Sequence, residues 1–403
     1  MEFKTFTFKN GLRLVSQQVG RAQVGHLGIT FNAGSRDENN EQQGLAHYLE
    51  HTVFKGTKKR KAFHILSRLD AVGGELNAFT TKEEICIYSS FQKSHLNRAA
   101  ELLADVSFQS VFPAKEIEKE KDVILDEING YLDSPSERIF DDFDELVYSN
   151  DSFGKNILGT PESVRSFTRD HCLDFFGRNF TPENAVVSYT GSASFERVVA
   201  IIEKHFSEIF LVGTPNKRVA PTMAKGIHQV TELDLYQSHV VLGYEAPSLA
   251  SEARKPVTLL NNLLGGPGLN SLLNFNIREK YGIAYQIDSS YVPYTDNGQI
   301  QIYFATEKKS IQRCIGYIHK ETNQLKTKLL SSLKLNQIKK QLIGHIALAQ
   351  ESNSSTMLGL GKSLLHFNKI ESDLDMYKAI EEISAQDLLE SANSIFQAES
   401  ENT

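Results

Sequence analysis

Hydrophobic positions recur along this 403-residue chain with two periods, one of strands and one of helices. The opening MEFKTFTFKNG alternates and reads as a first strand, and Asn10-Gly11 marks a tight turn into a second short strand. Ala114 to Leu132 reads as a helix, with Ile117, Ile124, Ile128 and Leu132 on one face. Aligned with each other, the halves repeat one order of elements. GHLGITFNAGS, GLAHYLEHTVFKG, LDAVGGELNAFTTKEEICIYSSF and KSHLNRAAELLADV are followed later by SHVVLGYEAPS, KPVTLLNNLLGG, IREKYGIAYQIDSSYVPYTDNGQIQIYFAT and KKSIQRCIGYIHKE. Each set is a strand, an amphipathic helix, a pair of alternating strands and another amphipathic helix. The pattern predicts an α+β fold of two homologous α+β domains, each an antiparallel-rich sheet with helices packed on one face. VGTPNKRVAPTMAKGI interrupts the periodicity with prolines, glycines and basic residues. The expected division is therefore a domain at 1–212, a linker at 213–227 and a second domain at 228–403.

Composition narrows the function classes. Hydrophobic residues make up 40% and charged residues 23%, as in ordinary globular proteins rather than disordered ones. The formal net charge is -7 with both signs interspersed, which argues against a nucleic-acid or anionic-membrane partner. No apolar run reaches the roughly 18 residues of a membrane span, and the start lacks the apolar stretch of a secretory signal. Cys86, Cys172 and Cys314 are odd in number and far apart, so they read as buried thiols rather than as disulfides or a metal knuckle. Together these features predict a cytoplasmic protein.

The candidate chemistry centres on His47-Tyr48-Leu49-Glu50-His51, within the helical stretch from Gly44 to Phe54. Histidines at i and i+4 lie about 40° apart around a helix, so both imidazoles leave one face. Glu50 lies about 60° to the other side of His47, within reach of a water held by the pair. Two histidines on one helix leave a catalytic zinc site short of a ligand. Downstream, Glu120 and Glu127 in EIEKEKDVILDEI are two helical turns apart and share a face. Either can supply the third ligand, with the other behind the site.

GLAHYLEHTVFKGTKKR, LNAFTTKEE, EKEKDVILDEI and FGKNILGTPESVRSFTRDHCLDFF together resemble the pitrilysin/insulinase family of zinc metallopeptidases, which carry the inverted motif H-x-x-E-H. The nearest likeness is to the small two-domain branch that includes the mitochondrial processing peptidase. The resemblance runs from about Asn10 to Thr306, and Glu127 lies 76 positions after His51, where that family places its third ligand. It implies one zinc ion per chain on His47, His51 and Glu127. It makes Glu50 the general base and Glu120 a catalytic support near the metal. It also makes Asn77, Ala78 and Phe79 part of an edge strand on which extended peptide is laid.

The second half keeps no histidine or glutamate in VTLLNNLLGG, the counterpart of the zinc helix. It carries instead Arg278 and Tyr285, seven apart, which match a family pair that holds substrate backbone and the developing oxyanion. Gly265-Gly266-Pro267-Gly268 resembles a shortened form of the glycine-rich loop of the non-catalytic processing-peptidase subunit. Two positions depart from the family pattern: Leu272 follows Ser271 where arginine is frequent, and Ile85 stands where threonine is frequent.

The resemblance implies a zinc endopeptidase that hydrolyses unfolded peptides inside a closed dimer chamber. Because one chain carries both halves of the site, a homodimer with sites completed in trans is expected. The alternatives are the catalytic subunit of a heterodimer with a homologous chain, or a non-catalytic peptide-binding subunit. No nucleic-acid or membrane partner is expected.

Overall fold

A computed structural model describes residues 3–149, 151–214 and 216–403. Met1 and Glu2 of the expected first strand and Pro215 of the expected linker lie outside the described residues. In chain order the first elements are β1 (Phe3–Thr7), β2 (Arg13–Gln18), β3 (Val24–Phe31), α1 (Leu45–Thr52), α2 (Ala62–Asp70), β4 (Glu75–Thr80) and β5 (Ile85–Gln92). Next come α3 (Leu96–Gln109), α4 (Ala114–Leu132), α5 (Pro135–Val147), α6 (Pro161–Ser166), α7 (Arg169–Asn179), β6 (Ala185–Gly191) and α8 (Phe195–Phe206). After α8 follow β7 (Ser238–Glu245), α9 (Arg254–Gly265), a π-helical turn (Asn274–Glu279), β8 (Ala284–Pro293) and β9 (Gly298–Thr306). The last elements are α10 (Ile311–Thr327), α11 (Ser332–Gln350), α12 (Asn353–Phe367), α13 (Asp373–Glu382) and α14 (Ala385–Ile395).

The chain forms two compact units. One holds residues 1–130, 155–218 and 348–372, the other 131–154, 219–347 and 373–403. The first is built on a six-stranded sheet of order β1-β2-β6-β3-β5-β4, antiparallel except for the β2/β6 pair. Leu27, Ile29, Ile87 and Val187 point from it into a core shared with Leu45, Leu49, Leu102, Val106 and Ile202. The second unit has a three-stranded antiparallel sheet, β7-β9-β8, against α9, α10 and α14.

The sequence pattern places helices on one face of each sheet, and the structure adds a helix to the other face. All seven residues of β6 and all nine of β9 are buried, so neither strand has a solvent side. In the first unit the second face is closed by α12. Leu364 and Leu365 pack on Val15 and Val186, and Ser188 donates to the Met357 sulfur at 3.0 Å. In the second unit α5 does the same, with Phe143 and Val147 against Val241, Tyr303 and Ala305. Gly243 is required there, because a Cβ would sit 2.1 Å from the Phe143 ring. Each covering helix therefore comes from the half of the chain opposite to the sheet it covers. All three cysteines are buried and free. Among the described residues no helix is long and apolar enough to cross a membrane.

Candidate metal centre

The motif helix α1 is held in place at both ends and along its inner face. At its start Gly44 adopts φ +91°, a left-handed conformation natural to glycine, and a Cβ there would lie 2.6 Å from Gly159 Cα. The Glu38 carboxylate accepts from Gly44 N at 2.8 Å and Ala46 N at 2.7 Å, which satisfies backbone donors exposed at the first turn. Leu45, Ala46, Tyr48 and Leu49 are fully buried, which turns His47 and His51 toward α4. Tyr48 donates its hydroxyl to the Ile117 carbonyl, and this bond fixes α4 in register with α1.

At that register His47, His51 and Glu127 each offer a ligand atom, and the three atoms lie within 4.8 Å of one another. His47 Nε2 is 3.7 Å from Glu127 Oε1, and His51 Nε2 is 3.5 Å from Glu127 Oε2. Ligand atoms about 2.0–2.2 Å from a tetrahedral zinc stand about 3.3–3.6 Å apart, so the two imidazole–carboxylate distances are close to that spacing, and the full set would draw together around an ion. Burial, with a smaller push from His51, lowers the His47 pKa to about 4, so its imidazole is neutral near pH 7 and keeps a lone pair to donate. The Nδ1 of His47 is buried without a hydrogen-bond partner among the described residues, leaving Nε2 as the nitrogen that faces polar groups.

His51 is tethered from behind. Its Nδ1 lies 3.0 Å from Glu120 Oε1, while Lys55 Nζ is 2.7 Å from Glu120 Oε2. Burial acts to lower the His51 pKa, but Glu120, Glu127 and Glu50 outweigh it and the net shift is upward. For Glu120 burial acts upward, yet the bonds from His51 and Lys55 hold the carboxyl below its ordinary range. Burial raises the pKa of Glu50 against the pull of the Thr80 hydroxyl and His51, and the neighbouring Glu127 raises it further. Three carboxylates thus surround two imidazoles and one lysine, an excess of negative charge suited to a divalent cation.

Asn77, Ala78 and Phe79 lie on β4, the last strand of the six-stranded sheet. Their partners are Tyr88, Ile87 and Cys86 of β5, and no strand pairs with the outer edge of β4 among the described residues. Ala78 packs on the core and Asn77 is exposed. Thr80, at the end of the same strand, is the residue that meets Glu50.

Arg278 and Tyr285 belong to the second unit. Arg278 lies in the π-helical turn, 3.4 Å from Asn274 Oδ1, and Tyr285 is exposed with its hydroxyl 3.5 Å from Glu307 Oε1. The loop from Gly265 to Gly268 is closely packed. Cβ atoms at Gly265 and Gly268 would come within 2.5 Å of Ser289 N and 2.4 Å of Gln341 Nε2. Glu127 is the fourteenth residue of α4, and the fourteenth of α11 is His345, whose Nδ1 is 3.3 Å from Asn262 Oδ1. That position in the second unit thus makes a polar contact, and no metal-binding set is found there among the described residues.

Sequence reasoning missed Glu38, Lys55 and Thr80. Lys55 carried a signal, since it follows His51 by one helical turn. Glu38 and Thr80 reach α1 from a loop and a strand, and no local spacing marks either.

Residues 13–161 match the family model "Insulinase (Peptidase family M16)", and residues 166–342 match "Peptidase M16 inactive domain". An "Uncharacterized zinc protease" of Rickettsia bellii is 32% identical over 98% of this chain and 95% of its own length. The "Uncharacterized zinc protease YmxG" of Bacillus subtilis is 33% identical over 91% of this chain and 89% of its own. Among solved structures, a protease from Helicobacter pylori superposes with a TM-score of 0.90 at 23% identity, covering 100% of this chain and 98% of that one. A peptidase M16 inactive domain from Pseudomonas fluorescens gives 0.92 at 18% identity, with 100% and 97% covered.

Proposed function

The chain belongs to the M16 insulinase family of peptidases, and on that premise we propose that it is a zinc-dependent endopeptidase acting on unfolded peptides. The observation that carries the reading is the convergence of His47, His51 and Glu127 within 4.8 Å, with Glu50 on the same helix. These three residues would hold one zinc ion per chain, which would supply Lewis acidity to the scissile carbonyl and to water.

The chain's own residues do the rest. Glu50, whose pKa burial raises, accepts a proton from the attacking water and returns it to the leaving amine. Glu120 orients His51. The outer edge of β4 at Asn77, Ala78 and Phe79 takes extended substrate as a further strand, which favours unfolded chains because their backbone is freely available in extended form. Arg278 and Tyr285 of a second copy donate to the oxyanion and the substrate backbone, so the working form is a homodimer. Co-purification of a second homologous chain would instead make this the catalytic partner of a heterodimer.

The test is cleavage of an unstructured peptide by the wild type and by Glu50→Gln, with zinc measured in both. Glu50→Gln is expected to keep its zinc and lose about 10²–10⁴-fold in turnover. Near-normal turnover with zinc bound would remove Glu50 from the reaction.

A further inference from the structure

We propose that Lys55 is a positioning residue of the metal centre: it holds the Glu120 carboxylate, and through it the His51 imidazole, in the orientation that faces Glu127. The inference rests on the zinc reading above and adds to it a residue outside the ligand set and the reacting groups.

Lys55 follows His51 by four positions. The chain keeps winding beyond α1, with Val53 N donating to Leu49 O at 2.8 Å and Lys55 N to Thr52 O at 3.0 Å. This brings the lysine stem to the same side as His51, and its ammonium reaches across to α4, 2.7 Å from Glu120 Oε2. Glu120 is only 6% exposed, and both its oxygens are engaged, one by Lys55 and the other by His51 Nδ1 at 3.0 Å. A carboxylate bound at both oxygens cannot swing about its side chain. With Glu120 engaging Nδ1, the ring presents Nε2 toward Glu127, 3.5 Å from Oε2.

The two histidines differ in how they are held. The side chain of His47 is 10% exposed and its Nδ1 has no hydrogen-bond partner among the described residues, so no tether like that of His51 stands behind that ring. The side chain of His51 is 24% exposed and borders solvent, so its ring depends on a tether. Lys55 anchors the far end of that tether. Without the ammonium, one oxygen of a buried carboxylate is left bare and Glu120 gains a reason to rotate toward water.

The experiment is zinc affinity and zinc release rate, by competition with a chelator, for the full-length wild type, Lys55→Met and Lys55→Arg. Methionine keeps much of the apolar stem, and arginine keeps a cationic donor. Lys55→Met is expected to bind zinc about 10–100-fold more weakly and release it faster, with Lys55→Arg recovering most of the loss. The unfolding midpoint of the metal-free proteins is measured beside it. If Lys55→Met lowers that midpoint but binds zinc as the wild type does, Lys55 is an ordinary stabilising ion pair and the inference is wrong. If Lys55→Met matches the wild type in both while His51→Ala abolishes binding, Lys55 alone is dismissed and the zinc reading stands. A wild type that binds no zinc overturns both.

Discussion

At the scale of single residues, the candidate site is framed by the groups behind His47, His51 and Glu127 as much as by those three. The shared face of His47, Glu50 and His51 was legible in the sequence, because a helix converts spacings of three and four into one face. The third ligand needed more than spacing, since Glu120 and Glu127 share a face and the helix alone does not choose between them. In the structure Glu127 faces both Nε2 atoms, whereas Glu120 meets Nδ1 of His51 from behind. Gly44 is a residue whose role only the fold reveals. Its φ of +91° and the 2.6 Å gap to Gly159 leave no room for a side chain. Gly44→Ala is expected to cost about 2 kcal/mol or more and to loosen zinc binding, since it displaces the start of α1. Denaturant unfolding and zinc retention check this, and an unchanged midpoint would show that the turn carries no strain.

At the scale of elements, the alternation and helical periods anticipated the strands, and the helix read over Ala114 to Leu132 has those same ends. They did not anticipate which sheet α5 and α12 would cover. An amphipathic stripe reports that a face is buried but not against what. The contact that fixes α12 is equally non-local. Glu84, between β4 and β5, accepts from His366 at 2.7 Å and lies 3.0 Å from Lys362, with Glu84 and His366 almost wholly buried. Burial acts to raise the Glu84 pKa, but His366 and Lys362 overcome it and hold the carboxyl below its ordinary 4.5. A lowered carboxyl contributes stability that is complete above its unfolded pKa and fades as pH falls through the folded one. Glu84→Gln should therefore cost roughly 3 kcal/mol at pH 7, and the gap to the wild type should narrow as pH falls below about 4. Unfolding curves at pH 7 and at about pH 3 measure it. A gap independent of pH would mean that the carboxylate charge contributes nothing.

At the scale of the whole molecule, the two units repeat one order of elements, and the candidate metal set of His47, His51 and Glu127 lies in the first, with no second such group among the described residues. The residues proposed to complete the reaction, Arg278 and Tyr285, lie in the copy without the metal set. If a second chain supplies them, mixing inactive Glu50→Gln with inactive Arg278→Ala should restore activity. Random exchange makes about half of the dimers mixed, each with one working site of two, so about a quarter of wild-type activity is expected. A mixture that stays inactive after proven subunit exchange would contradict the trans arrangement. The claim on which all of this depends is that His47, His51 and Glu127 bind a zinc ion. Elemental analysis of the wild type and of His51→Ala tests it most directly. One zinc per wild-type chain and essentially none in a folded His51→Ala chain is the expected result, whereas stoichiometric zinc in His51→Ala would place the metal elsewhere.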